Sequence, residues 1–175
     1  MSTINHKKII GFAAYSGTGK TTLIKKVVKT LKELNYRVSV IKHAHHNFDI
    51  DQPGKDSFEI RASGAENMLI SSSKRWALMH ENIGDSELKL IDLLKILKNL
   101  DSDIILIEGF KSENFPKIEL YRKEIGKELL CTSDKNIVAI ATDSDIKINN
   151  DIKILDINNT KQIVDYIIEY LHISK

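Results

Sequence analysis

"AAYSGTGKTT" occupies residues 13–22 and follows directly on "KKIIGF". The run before it is short and apolar, as a buried strand is, and from Lys20 onward the apolar period changes. Leu23, Ile24, Val27, Val28, Leu31 and Leu34 fall on one helical stripe with lysines opposite. Strand, glycine-rich turn and helix in that order are the setting of a phosphate-binding loop. Glycines at 17 and 19 let the backbone curl so that successive N–H groups point inward at phosphate oxygens. The helix adds its N-terminal N–H groups and dipole. In this reading Gly17, Thr18, Gly19, Lys20, Thr21 and Thr22 hold the phosphates, with Lys20 at the β- and γ-phosphates and the Thr21 hydroxyl on Mg²⁺. The pattern G-x-x-x-x-G-K-[ST] asks for glycine where this chain has Ala14. That first position serves packing at the strand exit, so a methyl group is compatible with it provided the backbone stays in an ordinary region.

Outward from this stretch, strand-like and helix-like segments alternate. Strands are expected at 37–42, 103–109, 136–143 and 152–156, and helices at 56–64, 86–99 and 163–171. Residues 66–71 and 75–81 read as two short strands of a hairpin, and the alternating "KIELYR" (117–122) reads as an edge strand. The fold class that follows is α/β, a mostly parallel sheet flanked by helices with a short antiparallel hairpin or edge extension, in a single domain of 1–175. In such sheets ligands bind at the carboxyl ends of the strands. The informative loops are therefore 14–21, 43–57, 109–116 and 143–151.

The chain has 175 residues and a net charge of +2, which points away from a nucleic-acid coat or a membrane binder. A single cysteine, Cys131, excludes an internal disulfide, and no apolar run approaches ~18 residues, so a cytoplasmic location is expected.

A phosphate loop is normally completed by a carboxylate at the end of another buried strand. "IILIEG" supplies Glu108 for Mg²⁺, against the alternative of a strand-end acid that simply meets solvent. The loop "HAHHNFDIDQPGKDS" concentrates His43, His45, His46, Asp49 and Asp51. It reads as a nucleotide- or partner-facing loop, as a plain solvated loop, or as a transition-metal site, and the spacing matches no familiar metal pattern. On the first reading Asp49 or Asp51 positions the attacking water. Asp143, at the end of "AIATD", can accept from the two parallel donors of guanine, or it simply caps a turn. Trp76, beside Lys74 and Arg75, belongs to an interface, or Arg75 and Trp76 form a platform for an anionic partner ligand such as a pterin.

"YSGTGKTTL", "IKHAHHNFDIDQPGKDS", "GAENMLI", "KRWALMHE", "IEGFK" and "FPKIELYR" together resemble the MobB family, the molybdopterin-guanine dinucleotide biosynthesis adaptor proteins. The resemblance implies a P-loop NTPase-type fold and a homodimer that binds GTP with Mg²⁺ and hydrolyses it weakly. It also implies an accessory role beside the guanylyltransferase that joins GMP to molybdopterin, with a contact to the molybdenum-insertion enzyme. A competing class is an ATP-dependent small-molecule kinase or ligase. Such an enzyme needs an arginine-bearing lid, whereas Arg37, Arg61, Arg75 and Arg122 are scattered through this chain.

Overall fold

The computed structural model describes residues 8–44, 48–82, 84, 87–148 and 152–174. The chain forms two compact units, one made of the residues up to His43 and from Leu90 onward, the other of Ala44–Lys89.

In the first unit the strands are β1 (Ile9–Ala13), β2 (Val38–Lys42), β5 (Ile104–Glu108), β6 (Lys117–Tyr121), β7 (Ile137–Thr142) and β8 (Lys153–Asp156). They form one sheet in the order β2-β5-β1-β6-β7-β8, parallel at every pairing. A parallel pair requires a crossover connection, and helices provide most of the cover on the two faces. α1 (Lys20–Glu33) and α4 (Thr160–Tyr170) cover one face, where Leu23, Val27, Leu31, Ile163 and Ile167 pack on Ile10, Leu106, Ile118 and Ala139. α3 (Leu90–Leu97) covers part of the other through Leu90, Leu93 and Leu94 against Ile9, Ile41 and Ile107. Alternate residues of β5 thus serve opposite faces, which is why "IILIE" is apolar throughout.

The second unit holds α2 (Asp56–Ala62) and an antiparallel hairpin of β3 (Asn67–Ser71) and β4 (Trp76–His80). The register places Leu69 opposite Leu78 and Ser71 opposite Trp76, so these side chains share one face.

One expected placement is corrected. Residues 117–121 do not form an edge strand: β6 lies between β1 and β7, and the edges of the described sheet are β2 and β8. The alternation of charge in "KIEL" does not mark a solvated face, because Lys117 and Glu119 are both buried. The Lys117 ammonium donates to the Lys111 and Glu113 carbonyls at 3.1 and 2.8 Å and to Asp134 Oδ2 at 2.9 Å, and it lies over the Phe115 ring. The Glu119 carboxylate accepts the N–H groups of Leu130 and Cys131 at 2.7 and 2.9 Å. Each buried charge thus has several partners, the condition under which burial is tolerated.

Candidate nucleotide site

The phosphate loop runs from the end of β1 to the start of α1. Ala14 is buried in the core among Leu23, Ile24 and Val27, and its backbone has no positive φ. A methyl group at this position fills space in the core and costs the loop no conformational freedom. Gly17 and Gly19 adopt φ of 83° and 91°, the left-handed region that a side chain disfavours. Thr18 is buried, and its hydroxyl donates to the Tyr15 carbonyl at 2.8 Å. That hydroxyl braces the loop, so what Thr18 can offer an anion is backbone.

Gly19 is the N-cap of α1 and has no side chain with which to cap it, and the first turn, Lys20-Thr21-Thr22, carries no acid. Helix N-termini normally satisfy their leading N–H groups with an Ser, Thr, Asp or Asn side chain. Here the leading N–H groups and the positive end of the dipole are left for an external anion. Thr21 and Thr22 are exposed beside them.

Strand order brings the carboxylate expected from "IEG" to this point. β5 pairs with β1 with Phe12 opposite Glu108. The Glu108 carboxylate lies 4.0 Å from Lys20 Nζ and 3.6 Å from Lys42 Nζ. Burial holds the Lys20 ammonium below the ordinary lysine range, Glu108 opposes that shift, and Lys111 and Lys42 reinforce it. Three ammonium groups and one carboxylate therefore gather near the phosphate loop, a surplus of positive charge suited to a polyphosphate. A threonine hydroxyl and a strand-end carboxylate are hard oxygen donors of the kind Mg²⁺ prefers, so the residues present fit that ion.

The chain leaves β5 through Gly109, whose φ is 101°; a Cβ there would stand 2.5 Å from the Cβ of His43. His43 donates its backbone N–H to the Glu108 carbonyl at 2.8 Å and stacks on Phe110 at 4.7 Å. His43 thus belongs to the wall beside Glu108. His45 and His46 lie outside the described residues.

Asp49 and Asp51 lie in the second unit and have partners there. Asp49 Oδ2 accepts from Arg61 at 2.5 Å, and Arg61 reaches Glu81 at 2.6 Å. The N–H of Asp51 and the Arg61 guanidinium hold the Asp49 carboxyl below the usual carboxylate range. Asp51 Oδ1 accepts from Ser57 Oγ at 3.0 Å, while its Oδ2 is buried with no hydrogen-bond partner among the described residues. No group of three or more His, Cys, Asp or Glu side chains that could hold a metal occurs among the described residues. Trp76 is 56% exposed and lies on the bare face of the hairpin, with Arg75 also exposed beside it.

Asp143 follows β7 and meets Arg122, which follows β6; the two form an ion pair. Sequence reasoning passed over Arg122 because a lone arginine after an alternating strand looks like an ordinary surface residue. The sheet order, which brings the ends of β6 and β7 beside that of β1, shows where it sits.

A family model described as "Molybdopterin guanine dinucleotide synthesis protein B", MobB, matches residues 9–143. The chain belongs to the MobB family. The matched span runs from β1 through the second unit to the end of β7, so it contains the phosphate loop, Glu108, the hairpin and Asp143. Among MobB relatives, the molybdopterin-guanine dinucleotide biosynthesis adapter protein of Escherichia coli (strain K12) is 42% identical over 166 residues, 93% of each chain. The protein of the same name from Haemophilus influenzae is 39% identical over 171 residues, 96% of this chain and 92% of that one. The fold agrees with solved MobB structures. A crystal structure of molybdopterin-guanine biosynthesis protein B superimposes with a TM-score of 0.72 at 24% identity, covering 94% of this chain and 99% of that one. The MobB homolog from Bacillus stearothermophilus gives a TM-score of 0.70 at 20% identity, covering 94% and 97%.

Proposed function

We propose that this MobB-family chain is a GTP-binding adapter that assists the attachment of GMP to molybdopterin and hydrolyses GTP only slowly on its own. The observation that carries the reading is the phosphate loop itself: a glycine-capped, acid-free helix N-terminus with Lys20 at ion-pair distance from Glu108. The relatives named as adapter proteins over nearly the whole chain support the pathway.

The orientation of the nucleotide follows from strand order. Glu108 lies on the β5 side of β1, and Asp143 on the β6–β7 side. If Thr21 and Glu108 hold Mg²⁺, the γ-phosphate end would lie toward β5 and the base end toward Asp143. A carboxylate accepts from guanine N1–H and N2–H₂, whereas adenine presents an acceptor at N1; guanine is therefore the base that Asp143 favours. Thr21 and Glu108 would hold Mg²⁺, which would supply positive charge against the triphosphate. The protein's own groups do the rest: the loop N–H groups hold the phosphates and Lys20 fixes their charge.

The arginines support slow intrinsic turnover. Three of the four are held by acids, Arg37 by Asp101 and Asp103, Arg61 by Asp49 and Glu81, and Arg122 by Asp143, and the fourth, Arg75, is exposed beside the hairpin of the second unit. A positive group over the γ-phosphate is worth ~10³–10⁵ in rate, and a partner subunit or the guanylyltransferase is the source we assign. The homodimer, the guanylyltransferase and the molybdenum-insertion enzyme are the partners of this reading, and the cytoplasm its setting; among the described residues no helix is long and apolar enough to cross a membrane. Single-turnover GTP hydrolysis with and without the guanylyltransferase tests it. The isolated chain is expected to turn over far below ~1 s⁻¹, the lower end for phosphoryl-transfer enzymes. Turnover at or above that rate in isolation moves the chain to the enzyme class.

A further inference from the structure

The exit of β6 joins two parts of the site that the sequence keeps far apart. Arg122 donates through Nη1 to Asp143 Oδ2, and through Nε to the carbonyl of Thr18 in the phosphate loop at 3.3 Å. Both side chains of the pair are largely sheltered, at 25% and 32% exposure. The chain then makes a 3₁₀ turn at Lys123–Ile125, closed by Gly126 in the left-handed region. Ile125 Cδ1 comes within 3.6 Å of where a Cβ on Gly17 would stand. The N–H of Lys123 donates to Ser144 Oγ at 3.5 Å, and that hydroxyl donates to Asp143 Oδ1 at 3.2 Å. One short segment therefore braces the phosphate loop on one side and both oxygens of the Asp143 carboxylate on the other.

We propose that Arg122 is a positioning residue for base recognition: it fixes the Asp143 carboxylate at a set distance from the phosphate loop and so confers guanine selectivity. The proposal rests on the guanine reading of Asp143 given above. A carboxylate has about four lone-pair sites on its two oxygens. Arg122 and Ser144 take one on each oxygen, which leaves one on each for two parallel donors of a purine edge. A carboxylate with neither brace would rotate freely and pay rotamer entropy on meeting the base. Because the same guanidinium holds Thr18, the spacing between phosphate site and base site is built into one side chain. Lysine carries the charge but lacks the planar fork that spans two acceptors.

The experiment measures dissociation constants for GTP, ATP and inorganic triphosphate by calorimetry in the full chain and in R122A, R122K and D143A, with melting curves as the folding check. Triphosphate has no base and reports the phosphate loop alone. The ratio of ATP to GTP constants is expected to fall by about 10- to 100-fold in R122A, the scale of one charge-assisted hydrogen bond, and whatever triphosphate affinity is lost with the Thr18 brace is expected to be smaller than that change in the ratio. R122K should recover part of that ratio, and it provides the comparison should R122A fail to fold. Equal weakening of triphosphate and GTP in the Arg122 variants, with the ratio kept, would mean that Arg122 only braces the loop and would overturn the proposal. An unchanged ratio in D143A would instead overturn the base reading on which it rests. A ratio lost in D143A but kept in both Arg122 variants refutes the positioning role alone.

Discussion

At the scale of single residues, Lys20 joins the nucleotide chemistry to the local electrostatics. It is desolvated beside a carboxylate and two further lysines, a surplus of positive charge suited to an arriving anion. Lys20→Ala should lose about 2–3 kcal/mol of GTP binding, roughly a 30- to 160-fold rise in the dissociation constant, with an unchanged circular dichroism spectrum. Titration calorimetry on the variant checks it, and unaltered affinity would remove the phosphate-loop assignment. A pH effect follows from the same side chain. Its pKa in the free protein is lowered, mainly by burial, and a bound phosphate must raise it again. Binding therefore takes up a proton on the alkaline side, and GTP affinity falls as pH rises through the lowered free-state value, earlier than an ordinary lysine would allow. Calorimetry in buffers of different ionisation enthalpy reads the proton directly. The left-handed glycines at 17 and 19 and the helix start at Lys20 were legible in the sequence because they are local features. Arg122 was not, since its partners Thr18 and Asp143 are brought to it only by strand order.

At the scale of elements, β5 and β6 show what periodicity can and cannot resolve. The uninterrupted apolar run of β5 announces a strand covered on both faces, and it is. The alternation in β6 has two physical causes that look identical in sequence: a face turned to water, or a face turned to polar groups of the protein's own loops. Lys117 and Glu119 belong to the second case. The carbonyls of residues 111 and 113 and the N–H groups of residues 130 and 131 come from segments whose conformation no local pattern reveals. Burial pushes the Glu119 carboxyl up, and the N–H groups of Leu130 and Cys131 pull it down without fully compensating. Glu119→Ala strands both of those N–H groups and should cost about 2–4 kcal/mol. Urea denaturation measures it, with Glu33→Ala on the exposed end of α1 as a control expected near zero. Equal stability of the two variants would show that water replaces the carboxylate without penalty.

At the scale of the whole molecule, the feature that asks for a partner is the hairpin in the second unit. Leu69, Leu78 and Trp76 are 62%, 51% and 56% exposed, and the antiparallel register puts all three on one face. The two strands themselves were foreseeable from two short apolar runs separated by "SSK" (72–74), but their bare face was not, because what covers a side chain is not written in its neighbours. A two-stranded ribbon is marginal by itself, and a contiguous apolar face of this kind marks an interaction surface. A second copy of the chain would cover it economically, since a two-fold axis would set the same patch against itself, with one Leu–Leu–Trp face closing the other. On this argument the hairpin face is the surface for the homodimer that the family resemblance implies. Leu78→Asp places a charge at the centre of that face, and a charge buried there without a partner is too costly to keep. The variant should scatter light as a monomer at micromolar concentration, where the unaltered chain is expected to scatter as a dimer. It should still bind GTP with unchanged affinity, because the phosphate loop, Glu108 and Asp143 all belong to the other unit. Trp76→Ala should weaken the dimer less, since it removes apolar area without adding charge. A Leu78→Asp variant that remains dimeric would place the dimer contact elsewhere and leave this face to the guanylyltransferase. Loss of GTP affinity together with the dimer would show that the nucleotide site is completed across the interface, which is also where the missing cation for hydrolysis would then be sought.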